Sequence, residues 1–440
     1  MKFTKFGKTL LMSALSAGVA LGITSCVQSY STGYMFVTGT VTAQTNGNGI
    51  VSGFKIDHNT GNLVPIIGLP ISSGGANPGR AVLLNGSRFL YVLNRGTTAS
   101  GGSNCTTANP CQNSNITQFA VGGNGVLTPQ ETFYTQGINP FRILGDSSGS
   151  YLLVLDHDSP SSAACALALG KTVTSCADVT VFAINGTTGR LTLVVNAQVT
   201  ASNGQALTYF PVPANPIDMI LSTGTLLTLS GTPATGDSVF PYTYSGSSGQ
   251  LTISQNTAQP LGIFNATAII NGSGTIYVLD NEPPSPNSTG AFSQLLPFTE
   301  GSNGALQAQT GGAIPEDPTL ANPVYLLVAG TTGKFLYVAN AGNNVSGPNP
   351  AAGINGYFIT TSPSYQLTPT APATFGTGSG PVCMVEDPSN QFIYVADYND
   401  SAVSGRVIDP NSGVLNNLRV ASSFTLQGPA AWCLVDGRTS

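Results

Sequence analysis

FLYVAN (335–340) and FIYVAD (392–397), two short apolar runs closed by Asn and Asp, are copies of one phrase that returns seven times along the chain. The others are YMFVTG (34–39), FLYVLN (89–94), YLLVLD (151–156), LLTLSG (226–231) and TIYVLD (275–280). Each is rich in β-branched and aromatic residues and is usually entered through a Gly or Ser turn, the pattern of a buried strand. A repeat of roughly 50 to 75 residues holding several strands predicts a radial array of sheets.

Around each phrase the rest of a unit can be read. After it comes a strand, a tight Gly-containing turn and another strand, as in VSGFKIDHNTGNLVPI (51–66), ITQFAVGGNGVLTPQ (116–130), VTVFAINGTTGRLTLV (179–194) and SGRVIDPNSGVLNNL (404–418). The Gly supplies the positive φ of a hairpin turn, so these are the two outer strands. Before the phrase lies an innermost strand opened by Asn77-Pro78, Asn139-Pro140, Asn215-Pro216, Asn322-Pro323, Gly380-Pro381 or Gly428-Pro429, with Asn265-Ala266 as the variant. Pro suits a strand's first residue, where no ladder donor is needed. The last opening leads into AAWCLVDGRTS with no phrase after it, and the first phrase has no opening before it. Joined, the two fragments complete one blade. The expectation is an all-β, seven-bladed propeller of four-stranded antiparallel blades, closed by its C-terminal innermost strand. Closure removes the unpaired edges that an open solenoid would have to cap.

Only 8% of residues are charged, against 53 Gly and 29 Pro, which suits many short strands joined by turns and leaves no helix of consequence expected beyond the N-terminus. The repeats run without a linker, so residues 34–440 read as one propeller domain. Lys2, Lys5 and Lys8 precede an apolar stretch, Thr9 to Gly22, that is too short and too rich in small residues for a membrane span. It ends at Ile23-Thr24-Ser25-Cys26, which resembles a bacterial lipobox. Residues 1–25 are thus expected to be a lipoprotein signal peptide, Cys26 the lipidated residue, and 26–33 a short tether holding the protein to an extracytoplasmic membrane face.

The six remaining cysteines form an even set, as in an oxidising compartment. Cys105 and Cys111 share one Asn/Thr/Gly-rich insertion, and Cys165 and Cys176 another; Cys383 and Cys433 stand at matching places in adjacent innermost strands. The expected bridges are Cys105–Cys111, Cys165–Cys176 and Cys383–Cys433. No C-x-x-C spacing supports metal ligation. Removing the three signal lysines from 14 basic against 19 acidic residues leaves a net charge of −8, which argues against nucleic acid as a partner. The chain carries no Walker-type loop, no G-x-S-x-G, no H-E-x-x-H, and two histidines in all.

The NP-opened strands, GKFLYVANAGNN (333–344), GRLTLV (189–194) and DPSNQFIYVADYNDSAVSGRVIDPNSGVL (387–415) together resemble the lactonase-like seven-bladed propellers, a group that includes a bacterial 6-phosphogluconolactonase and a carboxymuconate-lactonising enzyme. The resemblance spans about 34–436. It implies a His just after the Pro of the third opening strand, where this chain has Phe141 in NPFRILGDSSG (139–149), and an Asp at the next strand end, retained as Asp156. It implies an Arg and a His in the following opening, where Ile217 and Asp218 stand, and an acidic strand end at Gly231. Most of the family's catalytic groups are therefore expected to be missing.

Topology gathers strand openings and phrase ends on one face, around the central channel. The tails Asn94-Arg95, Asp156-His157-Asp158, Asp280-Asn281-Glu282, Asn340 and Asp397-Tyr398-Asn399-Asp400 are expected to converge there, with Arg80 and Arg142 pointing inward. Strand-end Asn and Asp can equally cap turns. Two readings follow. In the first, the face binds a small molecule or a protein partner through Arg80, Asn94, Arg95, Asp158, Asp280, Glu282, Asn340 and Asp397, with the insertions 96–115 and 157–178 contributing. In the second, a lactone hydrolase has rebuilt its site around His157 as base, Asp156 as its orienting carboxylate and Arg142 as oxyanion holder. His58, in the turn DHNTG, reads as structural. Ca²⁺ or Mg²⁺ on Asp156, Asp158, Asp280 or Glu282 is chemically reasonable, yet no loop has D-x-D-x-D-G spacing, so no cofactor is expected. A monomer is expected.

Overall fold

The computed structural model describes residues 30–41, 48–84, 86–201, 203–232, 234–253, 257–272, 274–281, 293–342, 351–360 and 366–436. The signal and anchor readings at 1–29, Cys26 included, and the ligand reading at Glu282 lie outside them.

Seven antiparallel sheets of four strands follow one another along the chain, and in six of them the four strands are consecutive from the centre outward. In five of them a further short strand pairs with the third, so the outermost strand comes in two pieces. Innermost strands include Pro78–Leu84, Ile138–Gly145, Pro216–Ser222, Ala266–Gly272, Pro323–Ala329 and Pro381–Glu386. The seventh is Ala430–Asp436, which pairs with Ser31–Thr40 in the register Val37 to Cys433 and Phe36 to Leu434. The C-terminal strand therefore closes the ring, as expected. Cys383–Cys433 bridges the seam at a Cα separation of 6.0 Å, and Cys105–Cys111 and Cys165–Cys176 close their insertions at 5.1 and 5.6 Å.

The phrase residues are buried because each second strand packs in the middle of a blade. Tyr34, Tyr91, Tyr337 and Tyr394 are all at 0% exposure. Their hydroxyls leave the blade to bond a carbonyl in the outer hairpin turn of the next one: Tyr34 to Gly123 at 2.7 Å, Tyr337 to Gly413 at 2.7 Å and Tyr394 to Gly61 at 2.7 Å. A Tyr in this place thus fills the apolar interface and satisfies its polar tip in one step. Between successive blades lie apolar clusters, such as Leu153, Val181, Met219, Leu226 and Tyr242 between the third and fourth.

The openings have a second reason for their sequence. Asn77, Asn139, Asn215 and Asn322 have φ of 49°, 58°, 56° and 55°, and Gly380 has 70°. The left-handed region excludes most side chains but admits Asn and Gly, so the residue before the Pro is chosen by backbone conformation. A bulge follows each opening: Pro140 pairs with Asp156, then Arg142 with Leu155, and the same skip occurs at Pro216, Ala266, Pro323 and Pro381.

Two details differ from the sequence reading. A helix, Ser162–Leu169, forms inside the Cys165–Cys176 insertion, with the Ser161 hydroxyl accepting from the Ala164 amide. In the fourth blade Pro216 pairs with Ser230, not Gly231, so the strand-end position that Asp156 holds in the third blade is taken by Ser230. The repeat there is TLLTLS (225–230). It lacks the Tyr that anchors the alignment elsewhere.

Candidate functional site

The bulge sets the chemistry of the channel, because the residue after it is carried on the innermost strand of every blade. Going round, that position holds Arg80, Arg142, Asp218, Ala268, Tyr325, Cys383 and Trp432. Five of these meet. Asp218 Oδ1 accepts from Arg80 Nη1 at 3.2 Å, from Arg142 Nε at 3.1 Å and from its neighbour's amide, Met219 N, at 3.0 Å. The Arg80 guanidinium lies 4.4 Å from the Trp432 ring, and Tyr325 meets that indole edge-on at 5.2 Å between centroids. Arg142 sits 4.9 Å from the ring of Phe141.

Arg80, Arg142, Tyr325 and Trp432 wall a cavity of about 400 Å³ that also takes in Arg95, Ser103, Phe141, Val382 and Tyr398. Arg80 and Arg142 therefore share one carboxylate, and Arg95 joins them on the wall. Asp218 is 4% exposed, against 19% and 24% for Arg80 and Arg142, so the pair charges are partly shielded from water. Burial, followed by the nearby Arg80 charge, pushes the Arg142 pKa down to about 10 while Asp218 opposes the shift. Arg142 remains a cation at neutral pH. Burial also lowers Arg95, whose Nε has no hydrogen-bond partner among the described residues. The cavity thus carries excess positive charge and one uncommitted guanidinium donor. Phe141, Tyr325, Val382, Tyr398 and Trp432 add aromatic and aliphatic surface, beside the polar Thr40, Asn77 and Ser103.

The strand-end residues are placed differently. Asn94, Asp156, Asp280 and Asp397 are at 0% exposure and Asn340 at 1%, inside the blades and away from the cavity wall. Asn94 Nδ2 donates to Ser73 O, Asn115 Oδ1 and Thr117 Oγ1, and Asn340 Nδ2 to Asn355 Oδ1. Asp280 accepts from Gln294 Nε2 at 2.9 Å; Asp397 accepts from Thr377 and Ser404 hydroxyls at 2.8 and 2.5 Å. They join the end of the second strand to the third strand or to the segment entering the blade. The strand-end side chains themselves turn into the sheet rather than converging on the channel, while Arg95 and Tyr398, one residue further along their tails, reach the cavity wall.

Asp156 and His157 also stand apart from Arg142. Asp156 lies opposite Asp178 in the ladder and accepts from Thr180 Oγ1 at 3.1 Å. Burial pushes Asp156 up to about 7, and burial together with the facing Asp156 charge pushes Asp178 well above the carboxylate range. His157 packs its ring 6.2 Å from Phe141 and places Nδ1 3.1 Å from Asp158 Oδ1, beyond the wall formed by Phe141. His58 stacks on Tyr30 at 4.4 Å and bonds the Thr32 hydroxyl. Among the described residues no group of three or more His, Cys, Asp or Glu could hold a metal ion.

Of the sequence-selected residues, Arg80, Arg95 and Arg142 come together. Asp218, Tyr325 and Trp432 join them and had not been selected as ligands, although Asp218 and Tyr325 stand two residues after their opening Pro, as the arginines do; Trp432 stands three after Pro429 and reaches the same place through its register.

The sequence model of the lactonase seven-bladed β-propeller family matches residues 45–207. No curated protein matches the chain. Among solved structures, a putative 6-phosphogluconolactonase from Bacteroides fragilis superposes with a TM-score of 0.63 at 14% identity, covering 93% of this chain and 99% of that one. The periplasmic gluconolactonase of Pseudomonas aeruginosa does so with a TM-score of 0.60 at 16% identity, covering 91% and 98%. Likeness at this level of identity concerns the fold.

Proposed function

Starting from a lactonase-type seven-bladed propeller, we propose that this protein binds a small anionic ligand, of the size and chemistry of a sugar acid, in its arginine-lined channel mouth, and that it does so without hydrolysing lactones. The observation that carries this reading is the convergence of Arg80, Arg95 and Arg142 on the wall of a cavity of about 400 Å³, with Asp218 paired to two of them. That volume falls within the range of small-molecule sites. A carboxylate or phosphate would meet Arg95 and the outer edges of the other guanidinium groups, and a ring would lie along Trp432 and Tyr325.

Hydrolysis needs a base aimed into the cavity. Asp218 is committed to two arginines and backbone amides, Asp156 is inside a blade, and His157 lies behind Phe141. Where the family resemblance implies His, Arg and His, Phe141, Ile217 and Asp218 stand, so a positive group has been replaced by a negative one. Three disulfides suit an oxidising, extracytoplasmic compartment, and a lipid anchor at Cys26 would hold the propeller to a membrane there. The small-molecule reading is preferred over a protein partner at the same face because the charge lies inside a concavity.

The reading is tested by titrating D-gluconate and 6-phosphogluconate calorimetrically, in parallel with a panel of γ- and δ-lactones assayed for turnover. Binding without turnover is expected, with affinity lost in Arg142→Met. Lactone turnover that falls at least about a hundredfold in His157→Ala would favour the hydrolase instead.

A further inference from the structure

The insertion that leaves the second blade after Asn94 supplies two wall residues of the cavity, Arg95 and Ser103. Its base is closed by reciprocal amide bonds between Thr97 and Gln112, at 3.2 and 2.7 Å, and its tip by the Cys105–Cys111 bridge. The tip is tied to the third blade. Thr107 Oγ1 donates to Asp158 Oδ1 at 2.8 Å, and Asp158 Oδ2 accepts from Asn139 Nδ2 at 3.0 Å. Asn139 in turn accepts the Cys111 amide at 2.8 Å and donates to Thr106 O at 3.3 Å. Asn139 is the left-handed residue that opens the innermost strand, directly ahead of Pro140, Phe141 and Arg142.

This use of the opening Asn departs from the repeat. Asn77 and Asn322 spend the same Nδ2 group within their own blades, on the carbonyls of Gly96 and Gly342. In the third blade the amide is turned instead to a neighbour's loop and to Asp158. A single carboxylate, 19% exposed, thereby fixes the tip of one blade's insertion against the residue that starts the next blade's cavity wall. Nothing in ring closure or blade packing calls for such a tie. Its evident effect is on how Arg95 and Ser103 stand relative to Arg142.

We propose that Asp158 is a positioning residue for ligand recognition: it holds the disulfide-closed loop 96–112 across the channel mouth, so that Arg95, the guanidinium with an uncommitted Nε, completes the anion site. The inference rests on the anion-binding reading for its consequence, while the tie itself is independent of it. Asp158 touches no ligand on this account and acts through the loop.

Two readouts keep the two levels separate. In Asp158→Ala, amide exchange across 97–112 should speed up by at least about tenfold at Cys111, the scale of losing hydrogen bonds to a charged group. Affinity for 6-phosphogluconate should fall by about tenfold as well. Thr107→Val, which removes one exposed hydroxyl, should move both readouts in the same direction by less, and serves where the first variant folds poorly. Unchanged exchange in both variants overturns the tie. Faster exchange with unchanged affinity overturns the positioning role. A wild-type protein that binds no 6-phosphogluconate defeats the anion-binding reading and with it the positioning role, and the exchange arm still decides whether Asp158 anchors the loop.

Discussion

The two ends of the innermost hairpin in each blade treat polar side chains in opposite ways. At the end of the second strand, Asn94, Asp156, Asp280, Asn340 and Asp397 repeat round the ring, are fully buried and bond to hydroxyls, amides and carbonyls of their own blade. At the opening of the first strand, the post-bulge position changes from blade to blade, as Arg, Arg, Asp, Ala, Tyr, Cys and Trp, and its side chains bond across blades. What recurs with the period of the fold serves the fold. What breaks the period, at a position the fold holds fixed, is free to serve a ligand.

The contrast is most sharply broken at Asp218. Replacing it by Ala leaves Arg80 and Arg142 facing each other with no counter-charge, and removing one partner of a buried ion pair costs about 3 to 5 kcal/mol. Urea unfolding of Asp218→Ala should show a loss of that order. A loss below about 1 kcal/mol would mean that the arginines are solvated and that the cavity is not the electrostatic unit described here.

Cys383 occupies the same post-bulge position and is spent on the seam. The Cys383→Ser, Cys433→Ser protein should lose roughly 2 to 5 kcal/mol, the usual range for a native disulfide, with the other two bridges intact. An unaltered melting temperature would show that the seam is held by strand pairing and packing alone. At the strand ends a smaller effect is expected. Asn94→Ala strands Ser73 O and its other acceptors in the interior and should cost about 1 to 3 kcal/mol, with anion affinity unchanged.

The buried acids at the strand ends also carry a pH signature. In the unfolded chain a carboxyl titrates near 3.9. Folded Asp397 titrates at about 6 and Asp156 at about 7, raised by burial. Between pH 4 and about 7 the native state therefore holds more protons than the unfolded state, so stability should fall as pH rises through that window. Asp178→Asn removes one of the raised carboxyls and the charge facing Asp156, and should flatten the fall in a melting-temperature series. A stability that rises across that window would show these groups to be ionised and paired.

Much of this ring is legible in the sequence because a propeller blade is a local object. Period, phrase, Asn-Pro opening and Gly turn each report a backbone requirement met within one unit, and even the Cys383–Cys433 bridge follows from register. Ser162–Leu169 was not legible, since its small apolar residues lie in an insertion outside the repeat. Neither was Ser230, because the fourth copy lacks the Tyr that anchors alignment. The site itself was half legible. Arg80 and Arg142 stand at a shared offset from Pro, but Asp218 and Tyr325 share that offset too, Trp432 is one residue out of step with it, and only the ring shows that residues so distant in sequence meet. The strand-end carboxylates misled for a converse reason: composition reveals their charge, while the direction of the last strand side chain decides that they face inward.

Trp432 is the chain's single tryptophan and lies 4.4 Å from the Arg80 guanidinium, so its fluorescence reports on the cavity alone. Titrating 6-phosphogluconate while following that emission tests the central claim most directly. A saturable change, lost in Arg80→Met and in Arg142→Met and retained in Asn94→Ala, is the predicted result. A flat titration, or one that saturates equally in all three variants, would contradict the assignment of the post-bulge positions as a ligand site.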